Sequence, residues 1–205
     1  MQFKLHLPAS TLLLLVFSCS VNANGQSEGE GYVFHANQEL RVAPLPTVVA
    51  DSTSESAVLA ASVATAVMER DVCCGRNSAL EDQVGTKLSL RALGERLRGK
   101  HYLDNGSPIL VADQYWSGAS VNAENIIGSL MAQRPLLMDW NGHLYVLYGA
   151  VFDDYRYYSG ADVHVIHTLL LVDTRFSDDR RYVTFNRQTD DWGKVAGLLA
   201  LTITR

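Results

Sequence analysis

Two adjacent thiols, Cys73 and Cys74, followed by Gly75, are the residues of this chain best placed to act as nucleophiles. The run from Cys74 through Asn77, Ser78, Ala79 and Leu80 reads as the start of a helix, and a helix N-terminus favours the thiolate over the thiol. The thiolate is the attacking form. Neighbouring cysteines make a strained disulfide. With no second Cys pair and no His pair at ligand spacing, a metal is not expected either. His143 follows Asn141-Gly142 and opens the apolar run Leu144 to Gly149. A ring rooted at a strand head, just after a tight turn, is held firmly yet stays at an edge, which suits a general base. Asp173 ends the run Leu169 to Val172 and is placed to hold that imidazole in one tautomer.

Each of these residues has a plainer reading. Free cysteines are usually buried packing, histidines often sit satisfied at strand edges, and strands often end in acids; Asp153, Asp154, Asp178 and Asp179 compete with Asp173. The order Cys, His, Asp raises the chemical reading above the plain one. Cys73 is the alternative nucleophile if the register moves by one, and His164 and His167 are fallback bases. Trp116, Trp140, Trp192, Tyr145 and Tyr148 read as core or cleft walls.

The elements that must position these groups follow from periodicity. Apolar residues at helical spacing predict helices over Ser54 to Glu69, from near Cys74 to Asp82, over Ser89 to Arg98 and over Asn122 to Gln133, the last capped by Asn122 and closed by Pro135. Strand-forming runs follow at Leu136 to Trp140, His143 to Phe152, Val163 to Val172, Arg181 to Phe185 and Gly197 to Ile203. Asn141-Gly142 predicts a tight hairpin between the first two. Helices first and strands second predict an α+β domain over residues 51–205.

Ahead of it, Lys4, the apolar run Leu12 to Phe17 and the small residue Ala23 predict a signal peptide over residues 1–23, and hence export to a periplasmic or secreted location. The run is too short to cross a bilayer. A lipobox-like reading would instead lipidate Cys19 and anchor the chain to a membrane surface. Residues 24–50, rich in Gly, Ser, Glu and Pro, read as a flexible or extended lead-in in which Tyr32 to His35 could pair as an edge strand. The formal net charge of −5 leaves no basic field for nucleic acid. The basic cluster Arg91 to Lys100, interrupted by Glu95, fits a solvated helix face.

A helical part with a cysteine at a helix start, followed by a β part carrying Gly142-His143, an apolar strand and then an acid, resembles the papain-like cysteine peptidase superfamily. Cys74-Gly75-Arg76-Asn77-Ser78-Ala79-Leu80 is similar to the Cys-Gly-Pro-x-x-x-Leu element of its bacteriocin-processing peptidase-like branch. The resemblance implies a papain-like fold, a helical N-terminal part bearing the cysteine and an antiparallel sheet bearing His and Asp. It implies a thiol hydrolase of peptide or amide bonds that needs no cofactor, with a peptide or protein as substrate. Cys74 matches the nucleophile, His143 the base and Asp173 the orienting acid. Met68 and Glu69 stand where the family carries an oxyanion-hole Gln, and Arg76 stands in place of Pro. Two other readings use the same residues: a transglutaminase-like acyl transferase, and a catalytically inactive exported binding protein.

Overall fold

The computed structural model describes residues 31–42, 88–102, 106, 108–173, 175–176 and 179–204. In chain order the strands are β1 (Tyr32–Arg41), β2 (Gly99–Tyr102), β3 (Pro108–Ser117), β4 (Leu136–Trp140), β5 (His143–Tyr157), β6 (Asp162–Val172), β7 (Tyr182–Asn186) and β8 (Val195–Thr204). Helix α1 (Leu90–Leu97) precedes β2, and helix α2 (Ala123–Met131) lies between β3 and β4. All strands join one eight-stranded antiparallel sheet of order β2-β3-β8-β4-β5-β6-β7, with β1 added beside β5. The long β5 gives one edge wholly to β6 and shares the other. Its first residues pair with β4 (Trp140↔His143) and its remainder with β1 (Tyr32↔Tyr157).

The sheet is covered on both faces, and the strand sequences show why. Leu136 and Met138 pack with α2, whereas Leu137 between them packs with α1; the same alternation runs through Leu198, Leu199, Ala200 and Leu201. Successive side chains of a strand point to opposite faces, so a strand buried on both reads as an unbroken apolar run. Ile126, Ile127 and Leu130 of α2 close one face over Leu147, Leu169, Leu171 and Phe185. Leu90, Leu93 and Leu97 of α1 close the other over Val111, Val146, Val172 and Leu199. Each such side chain, fully buried, contributes about 1.5–3 kcal/mol.

Local signals set the ends of these elements. The Ser89 hydroxyl accepts from the Ala92 N–H at 3.2 Å, and Asn122 Oδ1 accepts from the Asn125 N–H at 2.9 Å, so both helices start on side-chain caps. Asn141 and Gly142 have φ of 55° and 75°, the left-handed pair that a two-residue hairpin turn demands.

The papain-like architecture expected from the sequence is overturned. The described residues are mainly antiparallel strand with two helices, and strands precede or separate those helices rather than following a helical N-terminal part. Two strands escaped the sequence reading. β2 is four residues long, and β3 carries the polar pair Asp113-Gln114 in mid-strand, which masks its alternation. The segment expected as a lead-in also supplies β1, ten residues long. The expected helices over Ser54 to Glu69 and near Cys74, with Cys73, Cys74 and Cys19, lie outside the described residues. Among the described residues no helix is long and apolar enough to cross a membrane.

Candidate functional site

One end of the sheet gathers the chemistry-bearing residues. There β3 and β4 end, β8 and β5 begin, β6 ends and β7 begins, as the pairs Ser117↔Gly197, Trp140↔Val195, Trp140↔His143 and Val172↔Tyr182 require. His143 stands here, exposed, on the first residue after the hairpin turn. The turn is anchored from β8's side, because the Asn141 N–H donates to the Lys194 carbonyl at 2.9 Å.

β5 and β6 pair in the register Val146↔Val172, which carries Asp173 and the chain beyond it alongside Tyr145 and His143. The two predicted site residues therefore reach one cluster, but a third residue stands between them. Arg175 Nε lies 2.9 and 3.1 Å from the two Asp173 carboxylate oxygens, and its Nη2 lies 2.5 Å from Oδ2. Arg175 Nη1 is 3.2 Å from His143 Nδ1. A guanidinium can only donate. Nδ1 is then the acceptor, and the neutral ring carries its proton on Nε2. Asp173 thus orients His143 through Arg175 rather than by direct contact.

Burial makes this arrangement stiff. The Asp173 side chain is 3% exposed and that of Arg175 29%; Asp173 Oδ1 also accepts the Arg175 backbone N–H at 3.0 Å. A buried carboxylate needs such partners because it has lost its hydration. The hydrogen bonds that Arg175 donates to Asp173 push its guanidinium above the usual range. Burial, reinforced by the Asp173 charge and partly offset by Arg175, raises the Tyr145 phenol.

Two residues of this cluster were not singled out from sequence. Arg175 had a signal, an acid and a base two residues apart at a strand exit. Asp139 had none, since it looks like the polar beat of a half-buried strand. Its carboxyl is pushed up by burial, partly offset by the Gly142 N–H that it accepts and, when the His143 ring is protonated, by the charge of that ring. Its Oδ1 is buried with no hydrogen-bond partner among the described residues.

Aromatic rings back the site. Tyr145, Trp140, Phe185 and Trp192 form a chain of contacts with ring centroids 5.6, 5.1 and 5.2 Å apart. Beyond Trp192 an uncharged hollow of about 440 Å³ lies between Gly118, Val121, Gly193 and Val195.

The fallback bases lie elsewhere. His164 pairs with Asp154 far along β5, and its Nε2 is 3.7 Å from the Asp154 carboxylate; His167 Nε2 is 2.9 Å from Asp153. Neither is near His143. Among the described residues no group of His, Cys, Asp or Glu is placed to hold a metal ion. No protein-family model, curated protein or solved structure matches the chain, so the peptidase resemblance rests on its short motifs alone.

Proposed function

We propose that this chain is an exported thiol hydrolase that cleaves peptide or amide bonds, with Cys74 as nucleophile and His143 as the proton carrier. One observation carries the reading: an exposed imidazole sits at a strand head, fixed below by a two-residue turn and beside it by Arg175 on a buried Asp173. A ring rooted in this way is placed for general acid–base work once Arg175 releases its Nδ1.

The Cys74 thiol passes its proton to His143, and the sulfur attacks the carbonyl carbon. The C–N bond breaks, and the leaving amine takes the proton from His143. Water then attacks the thioester, giving its proton to His143, and the thiolate departs. For Nδ1 to receive a proton, the Arg175 contact must open, while Arg175 keeps its bonds to Asp173.

That same contact favours a second reading, a binding domain without turnover, because Arg175 already engages the Nδ1 lone pair. Alkylation of the full chain by iodoacetamide across pH separates the two. A hydrolase should alkylate Cys74 at neutral pH at least about tenfold faster than the denatured chain does. Cys74→Ala should remove this fast phase, Cys73→Ala should retain it, and His143→Ala should slow it. Equal rates in the folded and denatured chains, or a rate indifferent to His143→Ala, would sink the hydrolase reading and leave the binding domain.

A further inference from the structure

Among the described residues, only half of the outer edge of β3 is covered. β2 pairs with Pro108 to Val111 and stops, whereas β8 continues on the inner side through Ser117↔Gly197. From Ala112 to Ser117 the outward backbone groups meet no strand among the described residues. The Ser120 hydroxyl, which donates to the Ser117 carbonyl at 3.0 Å, is the local exception. An unpaired run of backbone donors and acceptors is a template for another extended chain. The molecule uses the same device elsewhere, since β4 and β1 lie end to end along a single edge of β5.

The free edge borders an open groove of about 530 Å³ whose other wall is the polar stripe of α1, Arg91, Glu95 and Arg98. Its charges are uneven in reach. Arg98 holds Asp113 through Nε–Oδ1 at 2.5 Å and Nη2–Oδ2 at 3.2 Å. Asp113 is 4% exposed beneath it while Arg98 stays 62% exposed, so the acid is hidden and the base is presented. Arg91 and Glu95 pair at 3.1 Å, both on the surface. Two guanidiniums and one carboxylate therefore face whatever enters.

We propose that the free half of β3 is a strand-addition site for an extended peptide segment from another molecule, bearing an acidic side chain toward α1. The six residues Ala112 to Ser117 offer roughly 20 Å of edge. The main chain of the incoming segment continues the line of β2, and alternate side chains meet Arg91 and Arg98. Binding of this kind requires no chemistry from Cys74 or His143 and stands whether or not the chain hydrolyses anything.

The test uses the full chain and a blocked peptide, acetyl-Thr-Val-Glu-Val-Thr-Val-amide, with a Lys-for-Glu version and one N-methylated at alternate residues to remove its donors. Expected are saturable binding of the Glu peptide, slowed amide exchange confined to residues 112–117 and neighbouring α1, and at least about tenfold weaker binding after N-methylation. Arg91→Glu, a surface change, should reverse the preference between the Glu and Lys peptides. The proposal is overturned by no saturable binding, by protection mapping elsewhere, by equal binding of the N-methylated peptide, or by Ala112–Ser117 amides already as protected in the free chain as those of β8. The last result would mean that the chain fills its own edge.

Discussion

Among the described residues, carboxylates and imidazoles meet in two regions, and they meet differently. At the far part of β5, His35 of β1 and His164 of β6 flank Asp154 at 3.5 and 3.7 Å, while Asp153 takes His167 at 2.9 Å on the opposite face. At the strand-head end, Asp173 and His143 are separated by Arg175. The far region has the closer His–Asp contacts, yet His35 and His164 are the direct strand partners of Asp154, and His167 follows two residues after Val165, the partner of Asp153, so strand pairing is enough to bring those side chains together. Direct contact there follows from register. The strand-head cluster instead depends on a turn, a strand exit and a buried ion pair converging, and it leaves one imidazole exposed.

Stability measurements test this contrast most severely. Asp173→Ala leaves Arg175 in a largely buried place without its carboxylate, and a loss of about 3 kcal/mol is expected in chemical denaturation. Asp154 is also buried, at 6% exposure, but its cation Arg156 is 58% exposed and can return to water. Asp154→Ala should cost visibly less, about 1–2 kcal/mol. Equal losses would erase the distinction between a converged cluster and a register contact.

A smaller effect is expected at the turn beneath His143. Gly142→Val forces a β-branched residue into φ of 75° and should cost about 1–2 kcal/mol. In the proposed hydrolase it should also slow Cys74 alkylation, a readout with no counterpart for His164 or His167.

Asp139 sharpens the comparison by its pH dependence. Burial holds this carboxyl above its ordinary range, so the folded chain keeps the proton more readily than the unfolded chain. Its contribution to stability is present at low pH and is lost as pH rises through the folded value. Asp139→Asn does not titrate. The melting temperature of this variant relative to wild type should therefore climb as pH rises above the ordinary carboxylate value of 3.8. A flat difference would show that the Asp139 carboxyl is hydrated rather than buried.

Much of the sheet was legible beforehand because both of its faces are buried. Leu136 to Trp140 is β4 to the residue, and Val163 to Val172 misses only Asp162 of β6. The ranges starting at Ser89 and at the expected Asn122 cap placed both described helices, and in the structure Ser89 caps its helix as well. β3 was missed because Asp113 owes its buried place to Arg98, a partner fifteen residues away that no local pattern announces. His143 and Asp173 were singled out and lie in one cluster, but the Arg175 that stands between them was not, since its place depends on which strand lies beside β5. Cys74 lies outside the described residues, so its proposed pairing with His143 is what the alkylation experiment must decide.

What the amino-acid order determined alone was local: a left-handed Asn-Gly turn, helix starts at side-chain caps, and apolar runs long enough to be strands. These depend on backbone sterics and on hydrogen bonds within a few residues. Tertiary structure decided that helices cover both faces, that β1 joins β5 across an interval of 116 residues at Asn37 and Asp153, and that Asp173 reaches His143 only through Arg175. Those outcomes depend on which surfaces exclude water together and on which buried charge finds a counter-charge. Both are properties of the assembled sheet rather than of any segment in it.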